Sequence, residues 1–170
     1  EHRVEAGVAE RKLRRGLQHF QAICRLAEVV GRGDEYALAA RHAGRSNRTF
    51  VLLGDGELAE GSNWEASLAA AHHRLDNLVV IVDRNELQSD KPTEEILALG
   101  DLETKLRAFG WEVETCGGHD HAALRDVFAR FRAGDETPKA LVADTIKGKG
   151  VSFMEHPLAL ALDGGTYRWH

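Results

Sequence analysis

Two short runs, Thr49 to Gly54 (TFVLLG) and Leu78 to Asp83 (LVVIVD), are apolar at nearly every position, and each ends in a polar cluster. A strand with one wet face alternates polar and apolar residues, whereas an unbroken aliphatic run is expected of strands covered by helices on both faces. Both runs are therefore predicted as central strands. Two further strand candidates follow at Glu112 to Cys116 (EVETC) and Ala140 to Ile146 (ALVADTI), with helical patterns between them. This alternation predicts an α/β fold, a parallel sheet with helices on both faces.

The connecting helices carry their own signals. Ser62 to Leu75 reads as a crossover helix: Ser62 and Glu65 have the spacing of a capping box, and Trp64, Leu68, Ala71 and Leu75 recur on one side. Asp101 to Phe109 and Asp120 to Arg132 supply two more helices. In the second of these, Leu124, Val127, Phe128 and Phe131 form the apolar face and Asp120 is a natural N-cap. Asp34 to Ala43 predicts a helix leading through a polar turn into the first strand. The front of the chain differs in kind. Val4 to Val30 reads as one helix, with a Leu13, Leu17, Phe20, Cys24, Ala27 stripe and a basic cluster at Arg11, Lys12, Arg14 and Arg15. The chain thus divides into a helical segment, residues 1–35, and an α/β domain, residues 36–170.

Composition narrows the functional classes. With 170 residues, 43% hydrophobic and 29% charged, the chain can bury a core without staples. A formal charge of -5 supplies no field to hold a polyanion, which argues against nucleic-acid binding. The apolar runs are far shorter than the roughly 20 residues that span a bilayer, so no membrane association is expected. Two cysteines are too few for a disulfide framework, and a reducing, cytoplasmic address is the default expectation.

The chemistry concentrates at Gly54-Asp55-Gly56 and Asp83-Arg84-Asn85, which close the two apolar runs. The 28 residues between Gly56 and Asn85 accommodate one loop, one helix and one strand. If the strands are parallel neighbours, both clusters emerge at the carboxyl edge, where open α/β sheets bind ligands. A carboxylate and an amide carbonyl are hard oxygen ligands suited to magnesium or calcium, and magnesium keeps phosphate oxygens among its remaining ligands. Glycines beside Asp55 let backbone approach a bulky anion, with Gly56 the best amide donor. Neither GxGxxG nor GxxxxGK[ST] is present, so dinucleotide and Walker-type readings have no motif.

The stretch GDGELAEGSNWEASLAAAHHRLDNLVVIVDRNELQSDKPTEEI closely resembles the thiamine-diphosphate signature of transketolases, which opens with GDG and closes with an asparagine. The resemblance continues through LRAFGWEVETCGGHDHAAL and ADTIKGKGVSFMEH and so covers most of Tyr36 to Met154. It implies a transketolase-like diphosphate domain that binds thiamine diphosphate and Mg2+. Asp55 and Asn85 match the side-chain ligands of the metal, and Leu87 matches the residue offering its backbone carbonyl. Gly54, Gly56, Glu57, Glu60 and Glu65 complete the implied cofactor-binding set. His170, in a Trp-His ending like the family's, matches a histidine near the diphosphate and substrate and is the implied catalytic residue.

The implied reaction moves a two-carbon ketol unit between sugar phosphates. The glutamate that activates the cofactor belongs to a separate pyrimidine-binding domain, which this chain does not contain, so the resemblance implies a partner chain in a dimer or heterotetramer. Two alternatives stay open. One is a catalytically incompetent fragment or assembly subunit of the same fold, since Glu1 to Glu35 carries neither the family's histidine-bearing segments nor its GSLGQGL-like stretch. That gap suggests an altered version of the ancestral segment. The other is a different thiamine enzyme, of the deoxyxylulose-phosphate synthase or 2-oxo-acid dehydrogenase type.

Simpler roles stand beside these. Glu60 and Glu65 suit a helix start, where acids favour the dipole. His72, His73, His119 and His121 lack spaced metal partners. Lys147-Gly-Lys149-Gly reads equally as an anion-facing or a solvent loop.

Overall fold

A computed structural model describes residues 30–131 and 134–169. The predicted helix Val4 to Val30 lies, apart from its last residue, outside the described residues. Helix α1 (Val30–His42) leads into β1 (Thr49–Gly54), a 3-10 turn (Asp55–Ala59), α2 (Gly61–His72) and β2 (Leu78–Arg84). A small hairpin follows, β3 (Leu87–Gln88) and β4 (Lys91–Pro92), then the single turn α3 (Thr93–Ile96). The chain continues through α4 (Leu102–Ala108), β5 (Glu112–Gly117), α5 (His121–Arg130), β6 (Lys139–Asp144) and α6 (His156–Leu162).

Four strands form one wholly parallel sheet in the order β1-β2-β6-β5. All four predicted strands are present. Because the sheet is in register, Gly54 pairs with Asp83, and Asp83 with Ala143, so the polar ends of β1, β2 and β6 arrive at one edge. One face packs Val51, Leu53, Val80, Val82 and Val142 against α1, α2 and α4 through Ala37, Ala66, Ala70, Leu102 and Leu106. The other packs Val79, Leu141 and Ala143 under α5 through Val127 and Phe131. Helices thus cover both faces, as the sequence predicts.

Three details differ from expectation. β1 is not central among the described strands: it is the edge, and its second face leaves Phe50 53% and Leu52 67% exposed, because α5 meets it only at its margin, where the Phe128 ring stands edge-on to Phe50 with centroids 6.0 Å apart. The capping box at Ser62 and Glu65 does not form. Helix α2 already begins at Gly61 behind a Glu60 cap, which puts Ser62 inside its first turn. The buried side of α2 is Asn63, Ala66, Ser67 and Ala70, while Leu68 is exposed. Small residues let α1 and α2 approach closely, and larger apolar side chains are displaced to the flanks. Asp120 does cap α5, its Oδ1 accepting from the amides of Ala122 at 2.9 Å and Ala123 at 3.1 Å.

Candidate cofactor and metal site

The strand tips are tied together by Asp55. This carboxylate is wholly buried, and its Oδ2 accepts from Arg84 Nη1 and from the Glu86 amide, each at 2.8 Å. Among the described residues its Oδ1 meets only the Thr93 hydroxyl, at 3.5 Å. Arg84 reaches Glu94 with its other edge, Nη2 to Oε1 at 2.8 Å. Burial works against the Arg84 charge, but the hydrogen bonds to Asp55 and Glu94 outweigh it and move its pKa upward. Glu94 in turn is held below the usual carboxylate range, chiefly by Arg84.

Asn85 follows directly. Its Oδ1 accepts from the Leu87 amide at 3.1 Å, and its Nδ2 donates to Asp83 Oδ2 at 3.2 Å. Asp83 is also bonded by the Thr145 hydroxyl from the end of β6. Between Asn85 and Leu87, Glu86 takes a left-handed backbone, φ +62, which a side-chain-bearing residue adopts at a cost of about 1–2 kcal/mol. Two bonds hold it there: its amide to Asp55 and its carbonyl to the Thr93 amide at 2.9 Å.

Gly56 is glycine for a reason of space. A Cβ there would stand 2.9 Å from Gln88 Cγ, so the first turn after β1 lies flat against the hairpin. Glu57 folds back to accept from the Gly54 amide at 2.6 Å. Glu60 occupies the N-cap position of α2 without a side-chain bond to the helix, and Glu65 is exposed on that helix. Asn63 bridges the elements, donating from Nδ2 to the Glu57 carbonyl at 2.7 Å and accepting on Oδ1 from the Val30 amide at 3.3 Å. His170 lies outside the described residues.

A cleft of about 810 Å3 opens at this carboxyl edge, lined by Asp83, Asn85, His119, Lys147 and Lys149, with Leu52, Ile81 and Phe128 on its apolar side. Asp55 does not line it. Lys147 is held there by the loop's own bonds: its carbonyl accepts from the His156 amide at 3.0 Å, and its ammonium sits 5.2 Å over the Tyr167 ring. Gly148, at φ +79, permits the return, since a Cβ would lie 2.2 Å from the Met154 carbonyl oxygen. His119 accepts on Nε2 from the Ile146 amide at 2.8 Å, which gives it a structural role on the same rim.

The donor set fits a hard divalent cation. It offers a buried carboxylate with one oxygen almost unengaged, an amide oxygen directly past the end of β2, and adjoining backbone. Among the described residues no group of three or more His, Cys, Asp or Glu converges as a metal site, so a zinc-type centre has no geometry here. Sequence reasoning brought Asp55, Asn85, Leu87, Gly54 and Gly56 to one edge. It did not single out Arg84, Glu86 or Thr93, whose roles depend on which side chains the hairpin folds over Asp55.

Fold and site together define an α/β domain of the kind that takes its ligand at the carboxyl ends of parallel strands. The model of the family described as transketolase, thiamine diphosphate binding domain, matches residues 33–159, and the chain belongs to that family. Among curated relatives, one of the subunits of the apulose-4-phosphate transketolase of Actinobacillus succinogenes is 42% identical over 134 residues, 79% of this chain and 45% of that protein. The 6-deoxy-6-sulfo-D-fructose transketolase subunit SqwG of a Clostridium species is 40% identical over 123 residues, 72% of this chain and 45% of that protein. The chain therefore spans about half the length of the curated relatives it matches. The crystal structure of transketolase from Campylobacter jejuni superposes with a TM-score of 0.70 at 26% identity, over 76% of this chain and 21% of that one. No described helix is long and apolar enough to cross a membrane.

Proposed function

We propose that this chain is the diphosphate-binding part of a transketolase built from separate chains, moving a two-carbon ketol unit between sugar phosphates with thiamine diphosphate and Mg2+. The observation that carries the reading is the junction of the β1 and β2 tips, where Asp55 bonds the residue next to Asn85. The names of the two relatives described above, each one subunit of its enzyme, support a partner chain, which would bring the pyrimidine-binding domain in a dimer or heterotetramer.

In this reading Asp55, Asn85 and the Leu87 carbonyl hold the metal. The Gly56 amide and the Lys147 ammonium meet the diphosphate, and charge-assisted bonds of this kind are about twice as strong as neutral ones. Glu57, Glu60 and Glu65 shape the turn and helix start beside the cofactor and toward the partner. When bound, thiamine diphosphate supplies a carbon nucleophile and an electron sink for cleaving a ketose beside its carbonyl. His170 is proposed to face the substrate. Leu52, Ile81 and Phe128 give one side of the cleft an apolar wall.

A second reading, a chain that keeps the fold without turnover, is favoured by Glu1 to Glu35, which carries neither the family's histidine-bearing segments nor its GSLGQGL-like stretch. Calorimetric titration of thiamine diphosphate with Mg2+, followed by a ketose-plus-aldose assay with the partner chain added, separates the two. Metal-dependent binding and restored turnover support the first reading. Binding without turnover selects the second, and absence of heat removes the cofactor role.

A further inference from the structure

An ion pair that served only the fold would engage both oxygens of its carboxylate, because a buried oxygen without a donor is costly. Asp55 is unequal. Its Oδ2 has two donors at 2.8 Å, and its Oδ1 has one hydroxyl at 3.5 Å. The donor that fixes Oδ2, Arg84, is itself fixed from the far side. Glu94 grips Nη2, and Glu94 is tied to the chain by the amides of Leu99 at 3.2 Å and Gly100 at 3.5 Å. A guanidinium is a rigid planar fork, so an Arg held at both edges transmits orientation as well as charge. Its positive charge would repel a nearby cation, and Glu94 offsets that charge.

We infer that Arg84 is a positioning residue for the metal ligand: it clamps Asp55 through Oδ2, leaves Oδ1 for the divalent cation, and is held in place by Glu94. The inference rests on the thiamine diphosphate and Mg2+ reading above and deepens it.

The test is Mg2+ affinity of the full chain in the presence of thiamine diphosphate, measured by calorimetry, alongside melting in EDTA. Loss of an outer-shell partner weakens metal binding about 10- to 100-fold, and Arg84→Met is expected in that range. Glu94→Gln should lose less, in the same direction, with melting close to the parent. Arg84→Lys keeps the charge but is shorter and lacks the rigid planar fork that spans Asp55 and Glu94, so it should recover part of the affinity and not all. Arg84→Met binding within about twofold of the parent, or tighter, would overturn the inference while leaving the cofactor reading intact. Should Arg84→Met fail to fold, equal affinity in Arg84→Lys would overturn it instead. A parent chain that binds no Mg2+ removes both.

Discussion

Asp55 and Glu86, 31 positions apart in sequence, meet through one hydrogen bond of 2.8 Å from the Glu86 amide to Oδ2. That bond joins the turn after β1 to the turn after β2 and keeps Glu86 in its left-handed conformation. Asp55→Ala is expected to remove Mg2+-dependent thiamine diphosphate binding altogether. It should also cost about 3–5 kcal/mol of stability, because Arg84 and the Glu86 amide lose their shared acceptor. Calorimetry and denaturant unfolding check the two effects separately, and binding that survives would dissociate Asp55 from the metal.

Gly56→Ala tests the close approach of the hairpin. The added Cβ would lie 2.9 Å from Gln88 Cγ and 3.1 Å from its Cβ, so the hairpin must move. Overpacking of this kind costs about 1–3 kcal/mol. A melting temperature equal to the parent's would show that the turn gives way freely. Cofactor affinity should fall along with stability.

Asp34 makes the fold sensitive to alkali. Burial pushes its carboxyl from the ordinary 3.8 up to about 8. The folded state therefore keeps a proton that the unfolded state releases. Stability from this group is complete below pH 4 and is lost as pH rises toward 8, after which the loss levels off. At about 1.4 kcal/mol per pH unit the upper bound is about 6 kcal/mol. Asp34→Asn should melt like the parent at pH 4 and well above it at pH 8. Parallel melting profiles across that window would contradict the argument.

Lys139 is wholly buried and is paired with Glu112 and Asp135, which remain 39% and 47% exposed. The energetics are accordingly one-sided. Glu112→Gln combined with Asp135→Asn strands a buried ammonium and should cost about 3–5 kcal/mol. Lys139→Met leaves two carboxylates that water can reach and should cost far less. Urea unfolding of both variants gives the comparison, and equal losses would refute the asymmetry.

Much of the fold was legible because its signals are local. The runs TFVLLG and LVVIVD read as strands from their unbroken aliphatic pattern, and Asp120 could cap α5 from its own position. The edge position of β1 was not legible, since Phe50 and Leu52 read as buried in a pattern that cannot say how far α5 extends. The buried side of α2 was misread for a related reason. Tight packing selects Ala66, Ser67 and Ala70, which carry little hydrophobic signal. The clustering of Asp55 with Asn85 followed from strand parallelism alone. The Arg84 bridge depends on where a short hairpin carries Thr93 and Glu94, and no periodicity encodes that.

The bare side of β1 has a bearing on handling the protein. Phe50 and Leu52 hold out aromatic and aliphatic surface worth about 25 cal/mol for each Å2 withdrawn from water, next to a strand edge with unpaired backbone groups among the described residues. A polypeptide purified with that seam open is expected to be sticky, scattering more light as its concentration rises. Leu52→Lys should quiet that behaviour without disturbing the opposite, well-packed face.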